Sequence, residues 1–431
     1  MKVFVHPAIH LEGVIDPPSS KNYTLRYVLA SALAEGESEV LYPAQSDDAA
    51  ALLECLSALG AGFRREGECL KVRGFGANPQ EPRVLNPRNA GAVLRMLLGV
   101  AALLPETRFE TEFADSLGRR PNRELLEALA QLGATYKAGE DGRLPIVLRG
   151  GNLHGGKVKV SGARSSQFLS SLLFLSPLIG ERVEIQVTDE LVSVPLIRTT
   201  LEVLQKAGIA VQASRDLRRF GIPKGQKYKP GHYDVNGDYP GSAAIMAAAA
   251  TNRGDVTIRR LFEDQQGEQA AVDVLDSMQA DVYRDGRSVR VRGGRLLRAV
   301  RFDGDEATDA VLALVGAACL AAGESVFYNI GNLRLKECDR IHDSITELRK
   351  IGVECDETPD SIVVKGSPTG YEGGLEVEAH NDHRVIMLLT IVGLRCRKGL
   401  TIRDAQHVGK SYPRFFDDLR LLGAQIEEMP D

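Results

Sequence analysis

A chain of 431 residues exceeds one typical hydrophobic core, so two domains are expected. Its charges are plentiful but mixed, 53 Lys and Arg against 58 Asp and Glu, and the net of -5 argues against a general nucleic-acid binder while leaving room for a local basic pocket. No stretch approaches the ~18 apolar residues of a membrane span and the N-terminus lacks a signal peptide's apolar core. Cys55, Cys69, Cys319, Cys338, Cys355 and Cys396 lack C-x-x-C spacing and read as reduced thiols, so neither zinc nor disulfides are indicated and a cytoplasmic protein is expected.

The first dozen residues, VFVHPAIHLEG, read as a strand ahead of the first helix. In PPSSKNYTLRYVLASALAEG, Pro17–Pro18 sets an extended turn and Ser19 or Ser20 can cap a helix, which places Lys21 in its first turn and Arg26 about one and a half turns on. Cations at a helix N-terminus oppose its dipole unless an anion is bound there. Next, Asn89-Ala90-Gly91-Ala92 opens an apolar helix bearing one early charge, Arg95, whose expected partner is a ligand anion. Arg119 and Arg120 precede a Pro at a further helix start, as an anion site or a surface pair. Ser165, Ser166 and Gln167 stand before the apolar helix of SSQFLSSLLFL, suited to phosphate or sugar hydroxyls and equally to a helix cap. The segment 230–241 is dense in Gly, Pro and Asp and marks a boundary. Beyond it, Asp309 enters an apolar helix. Asn332, Arg334, Lys336, Glu337, Asp339 and Arg340 crowd together, with Leu333 and Leu335 alternating like a half-buried strand. Asn381, Asp382, His383 and Arg384 precede another apolar helix, and Lys410 closes the series.

A repeat runs beneath these motifs. Amphipathic helices stop at Gly60, Gly133, Gly208, Gly352 and Gly423 and run into strands, as in LLECLSALGAGF and LLEALAQLGATY; a degenerate sixth copy has Gln279 at the stop. The steps between stops are 71 to 75 residues, a fixed-period self-similarity across the chain. Three copies precede the boundary at 230–241 and three follow it. Basic and small polar groups recur where a turn meets an apolar helix, which would make a preorganised anion trap if those helix starts converge.

SK-N-Y-T-L-R, NAG-x-x-x-R, SSQF, NGD-x-x-x-x-A, N-x-R-x-K-E-x-DR, NDHR and GKSYP occur in the order seen in the 5-enolpyruvylshikimate-3-phosphate (EPSP) synthase family, which the chain resembles over nearly its whole length. The resemblance implies a two-lobed inside-out α/β barrel of six βαβαββ repeats, three per lobe: 14–234 as the first lobe, 1–13 plus 235–431 as the second, with the active site in the cleft. It implies transfer of the enolpyruvyl group of phosphoenolpyruvate to the 5-hydroxyl of shikimate 3-phosphate with release of phosphate. No metal, cofactor, nucleic acid or membrane is implied, and a monomer is expected. By motif position Lys21, Asn89, Gly91, Arg120, Arg340, Arg384 and Lys410 match phosphoenolpyruvate contacts. Asn22, Arg26, Ser165, Ser166, Gln167, Ser193, Asp309, Asn332 and Lys336 match the shikimate 3-phosphate side. Asp309 and Glu337 match the proton-transfer groups, with Lys336 and Lys21 assisting. Asn22 stands where the family has Ser, Arg88 replaces a Gly, Ala92 a Thr, Met96 a Pro or small apolar residue, and Leu196 a Tyr. Competing readings are a relative that transfers enolpyruvyl to a UDP-sugar or another acceptor, and a non-catalytic anion-binding module.

Overall fold

All six expected helix stops are left-handed: φ is +101° at Gly60, +104° at Gly133, +79° at Gly208, +94° at Gly352 and +105° at Gly423, and Gln279 joins them at +67°. In the computed structural model, which describes residues 1–265 and 267–429, the same bond closes each of these ends. The residue after the stop donates its N–H to the carbonyl five positions back, as in Ala61 N to Leu56 O (2.9 Å), Ala280 N to Leu275 O (2.9 Å) and Val353 N to Leu348 O (3.0 Å). This is the Schellman arrangement, which satisfies carbonyls that a helix end leaves open. Glycine enters the left-handed region freely, whereas a residue with a Cβ meets a cost on the order of 1 kcal/mol there. The degenerate copy therefore keeps the geometry of its siblings without the residue that favours it.

Each stop belongs to one β-α-β-α-β-β repeat. In the second repeat, strand Val84–Leu85 leads through helix Gly91–Ala101 to strand Thr107–Phe109, then through helix Arg123–Gln131 to strands Thr135–Lys137 and Ile146–Arg149. The first two strands are parallel, as a helical crossover requires, and the remaining pairings are antiparallel. The spatial order is thus first, second, fourth, third, and all six four-stranded sheets show it. Among the described residues these sheets are separate and open, so the α/β repeats are present but do not close into a barrel in the strict sense.

Three sheets borrow a strand from far along the chain. His10–Ile15 is the first strand of the fourth repeat, parallel to Arg253–Arg259. His232–Asp234 is the first strand of the first repeat, parallel to Glu35–Leu41. Lys2–Val5 completes the sixth repeat between Leu400–Arg403 and Ile426–Met429. The N-terminal stretch expected to be one strand is therefore two, in two sheets, interrupted around Pro7, which has no N–H to give a ladder. The chain divides into Met1–Pro18 with Asn236–Asp431, and Ser19–Val235. The N-terminal crossing falls after Pro18 rather than after residue 13, because His10–Ile15 stays paired to its end.

The two helices of a repeat have different surroundings. The first is apolar on nearly every side and buried along its length, as in Gly91–Ala101, Ser166–Leu175, Tyr239–Thr251 and His383–Gly393. The second buries one stripe, as in Arg123–Gln131 and Arg340–Ile351. Sheet strands such as Val183–Val187 bury alternate residues and turn the others outward. Each unit is thus helix-filled and sheet-clad. Small residues let the inner helices approach: a Cβ on Gly99 would stand 2.6 Å from Ser171 Oγ. Several functional candidates stand at or just before helix starts of both kinds.

Candidate active site

In the Ser19–Val235 unit, Ser20 Oγ accepts from Tyr23 N (3.3 Å) and makes Lys21 the first residue of helix Lys21–Ala32. The Lys21 ammonium lies 3.0 Å from Asp48 Oδ2, in the first turn of Asp47–Ala58. Asn22 is buried, and its carbonyl accepts from Arg26 Nη1 (3.0 Å). Arg26 is only 1% exposed and also donates to Thr200 Oγ1 (2.9 Å) and Leu196 O (3.4 Å).

Arg95 ties this end together. It donates to Asn122 Oδ1 (3.2 Å), Ser165 Oγ (3.2 Å), Gln167 Oε1 (3.0 Å) and Pro121 O (3.1 Å), with its guanidinium 4.9 Å from the centre of the Phe168 ring. Through these bonds Arg95 orients Ser165 and Gln167. Asn122, fully buried, donates in turn to Arg120 O (3.0 Å) and Gly142 O (3.1 Å). It was not singled out from sequence, although its place ahead of a helix was a signal. Arg119 and Arg120 part company: Arg119 is exposed on Asp115 (2.6 Å), while Arg120 is buried against the helix opened by Gly91. A Cβ built on Gly91 would stand 2.5 Å from Arg120 Nη1. Asn89 lies in the turn before that helix, Ser166 is the buried first residue of Ser166–Leu175, and Ser193, left-handed at φ +52°, precedes Val194–Lys206.

In the other unit the organiser is Arg340, 2% exposed. Its Nε donates to Asp382 Oδ2 (2.8 Å), Nη2 to Glu337 Oε2 (2.9 Å) and Nη1 to Asp309 Oδ1 (3.4 Å). Glu337 Oε1 also lies 2.8 Å from Lys410 Nζ, and Asp309 Oδ1 lies 3.7 Å from Lys336 Nζ. Burial alone would make Arg340 easier to deprotonate; Asp382, Glu337 and Asp309 outweigh it and hold the guanidinium firmly charged. Asp382 caps helix His383–Gly393 by accepting from Arg384 N (2.7 Å). Arg384 is buried, with Nη2 3.9 Å from Asp238 Oδ2 and Nη1 3.6 Å from Met387 Sδ. Its Nε is buried and makes no hydrogen bond among the described residues.

The segment expected as a half-buried strand is a 3₁₀ turn, Gly331–Leu335, with Asn332 in it. Arg334 draws the chain into that turn by gripping Asp339 (2.8 Å), Glu357 (2.6 Å) and the carbonyls of Thr358 and Pro359. Its charge is therefore spent on structure, and Asp339 additionally caps Arg340–Ile351 through His342 N. Lys336 and Glu337 follow the turn directly, which is how they reach Asp309 and Lys410. Among the described residues no group of three or more His, Cys, Asp or Glu side chains is placed to hold a metal, and no helix is long and apolar enough to cross a membrane.

Solved structures with this fold include an EPSP synthase from Acinetobacter baumannii, at TM-score 0.82 and 23% identity over 99% of this chain and 100% of that one. The enolpyruvyl transferase NikO from Streptomyces tendae follows at TM-score 0.80 and 18% identity, covering 99% and 98%. These likenesses establish the fold. Sequence similarity narrows the class: residues 5–419 match the profile of EPSP synthase (3-phosphoshikimate 1-carboxyvinyltransferase). The 3-phosphoshikimate 1-carboxyvinyltransferase of Deinococcus radiodurans is 51% identical over 426 residues, 99% of this chain and 96% of that one. Its counterpart in Burkholderia pseudomallei is 40% identical over 421 residues, covering 97% and 93%. The chain belongs to the EPSP synthase family.

Proposed function

We propose that the chain performs this family's reaction with the residues described above. Phosphoenolpyruvate and shikimate 3-phosphate are its substrates, and enolpyruvyl transfer to the 5-hydroxyl releases phosphate. In the addition step the 5-hydroxyl oxygen bonds to the central carbon of phosphoenolpyruvate, losing its proton while the methylene carbon gains one. In the elimination step a methyl proton leaves, the carbon–phosphate oxygen bond breaks and the double bond returns. The observation that carries the assignment is the cluster of Asp309 and Glu337 around Arg340, Lys336 and Lys410. Two carboxyls gripped unequally by cations can divide acid and base work.

The remaining cations handle charge. The two substrates bring about four negative charges, which call for charge-assisted, partly bidentate hydrogen bonds. Lys21, Asn89, Gly91, Arg120, Arg340, Arg384 and Lys410 are assigned to phosphoenolpyruvate. Arg26, Ser165, Ser166, Gln167, Ser193, Asn332 and Lys336 are assigned to shikimate 3-phosphate, with Asn22 beside them. The finer reading is of a monomer working in the cytoplasm, supported by six cysteines that are all free thiols; sedimentation analysis tests the monomer.

Purified protein is expected to release phosphate from phosphoenolpyruvate only when shikimate 3-phosphate is present. No release, or release with a UDP-sugar in its place, overturns the assignment. Two variants test the binding set. Lys21→Ala is expected to lose at least about tenfold in kcat/KM, about 1.4 kcal/mol of barrier. Gly91→Ala places a methyl group against Arg120, so its KM for phosphoenolpyruvate is expected to rise about tenfold while that for shikimate 3-phosphate changes less. Initial rates over both substrate concentrations give both numbers.

A further inference from the structure

Glu268 lies between strand Arg253–Arg259 and helix Ala270–Ser277 and is 2% exposed. Its carbonyl accepts from Ala271 N (3.0 Å), which fixes its backbone at the approach to that helix. Its Oε2 is buried and makes no hydrogen bond among the described residues. A charged carboxylate so placed would have its own backbone N–H as a donor, which burial outweighs.

Its charged surroundings are mainly acidic. Asp309 acts on it most strongly, followed by Asp264 on its own segment and Asp238 at the start of Tyr239–Thr251. Helix Ala270–Ser277 packs against the turn Gly304–Ala307, which leads directly to Asp309. From strand Asp281–Arg284, Arg284 is engaged elsewhere, donating to Gln269 O (3.0 Å) and Asp273 Oδ1 (2.9 Å). Asp264 is itself held by Asn236 Nδ2 (2.9 Å), and the buried phenol of Tyr239 is pushed up, by burial first and then by Asp264. Lys336 and Arg340 face Asp309. Burial and then Asp309 push the Glu268 carboxyl well above the usual carboxylate range, in agreement with the geometry.

We propose that Glu268 is a positioning residue for Asp309: a neutral carboxylic acid, kept protonated in its buried niche, that lets Asp309 carry charge beside Lys336 and Arg340. Loss of the Glu268 proton at alkaline pH would set a second negative charge near Asp309 and raise the affinity of Asp309 for a proton. Turnover that needs the Asp309 carboxylate then falls as Glu268 ionises. The inference rests on the proposed proton-transfer role of Asp309, and the two can fail separately. Wild-type rates in Asp309→Asn would remove that role while leaving the state of Glu268 to direct measurement.

The test compares pH–rate profiles of full-length wild type and Glu268→Gln, an isostere that is neutral at every pH. The variant is expected to keep kcat within about threefold at neutral pH and to hold its plateau about one pH unit or more further into alkali. A uniform loss at all pH, as for a merely structural residue, or a profile that coincides with wild type, overturns the proposal. Carbon-13 NMR of wild-type protein labelled at the glutamate carboxyl carbons supplies a readout that requires no stable Glu268 variant. One carboxyl signal at the neutral-acid position at neutral pH is expected to persist in Glu337→Gln; its absence from wild type, or its loss in Glu337→Gln, overturns the assignment.

Discussion

Glu337→Gln is expected to lower kcat by about 10²- to 10⁴-fold, the range set by loss of general acid–base catalysis, with KM for each substrate changed only a few-fold. The amide has the shape of the carboxyl but cannot deliver or accept the proton that the vinyl methylene gains and loses. It also alters its neighbours: the Glu337 side chain is 7% exposed and holds Arg340 at 2.9 Å and Lys410 at 2.8 Å, so the amide leaves both cations short of one counter-charge. Phosphate release with both substrates saturating reads kcat, and a thermal melt read alongside it separates chemistry from folding. Rates close to wild type would remove Glu337 from proton transfer and leave Asp309 to account for both steps.

The part of this architecture that was legible in the sequence is the part written locally. A left-handed helix stop has a residue preference, so glycines about 72 residues apart disclosed the repeats, and even Gln279 fell into line because its neighbours did. Cations at helix starts were legible for the same reason: Lys21 and Arg340 oppose a dipole there and need an explanation within a few residues. Strand exchange was not legible. Nothing in VFVHPAIHLEG says that Lys2–Val5 will join Leu400–Arg403 while His10–Ile15 joins Arg253–Arg259, because a strand's partner is chosen by packing across hundreds of residues. Without the motif, function within a charge cluster was equally hidden. Arg334 and Arg340 lie six positions apart with similar flanks, yet one is absorbed by Glu357 and a turn and the other meets Asp309, Glu337 and Asp382. Glu268 carried no sequence signal, since a lone glutamate before a helix is ordinary until its burial is known.

Arg340→Met is expected to cost the fold about 3–5 kcal/mol and to abolish activity, because removing one member of a buried ion network strands the others. Here the group most affected is Asp382, which is fully buried, while Glu337 keeps Lys410 and Asp309 keeps Lys336. The pH dependence follows from which groups titrate. Arg340 is held above its ordinary value, so its contribution is fully present below that value and is lost only in strong alkali, outside any practical range. Urea unfolding of wild type and variant measures the cost, and a loss below about 1 kcal/mol would mean that these carboxyls are not what Arg340 restrains. Lys336→Met is the control: its ammonium is more exposed and stands 3.7 Å from Asp309, so its loss is expected to cost less than about 1 kcal/mol. Equal losses in the two variants would move the electrostatic centre of this unit from Arg340 to the Asp309 carboxylate that they share.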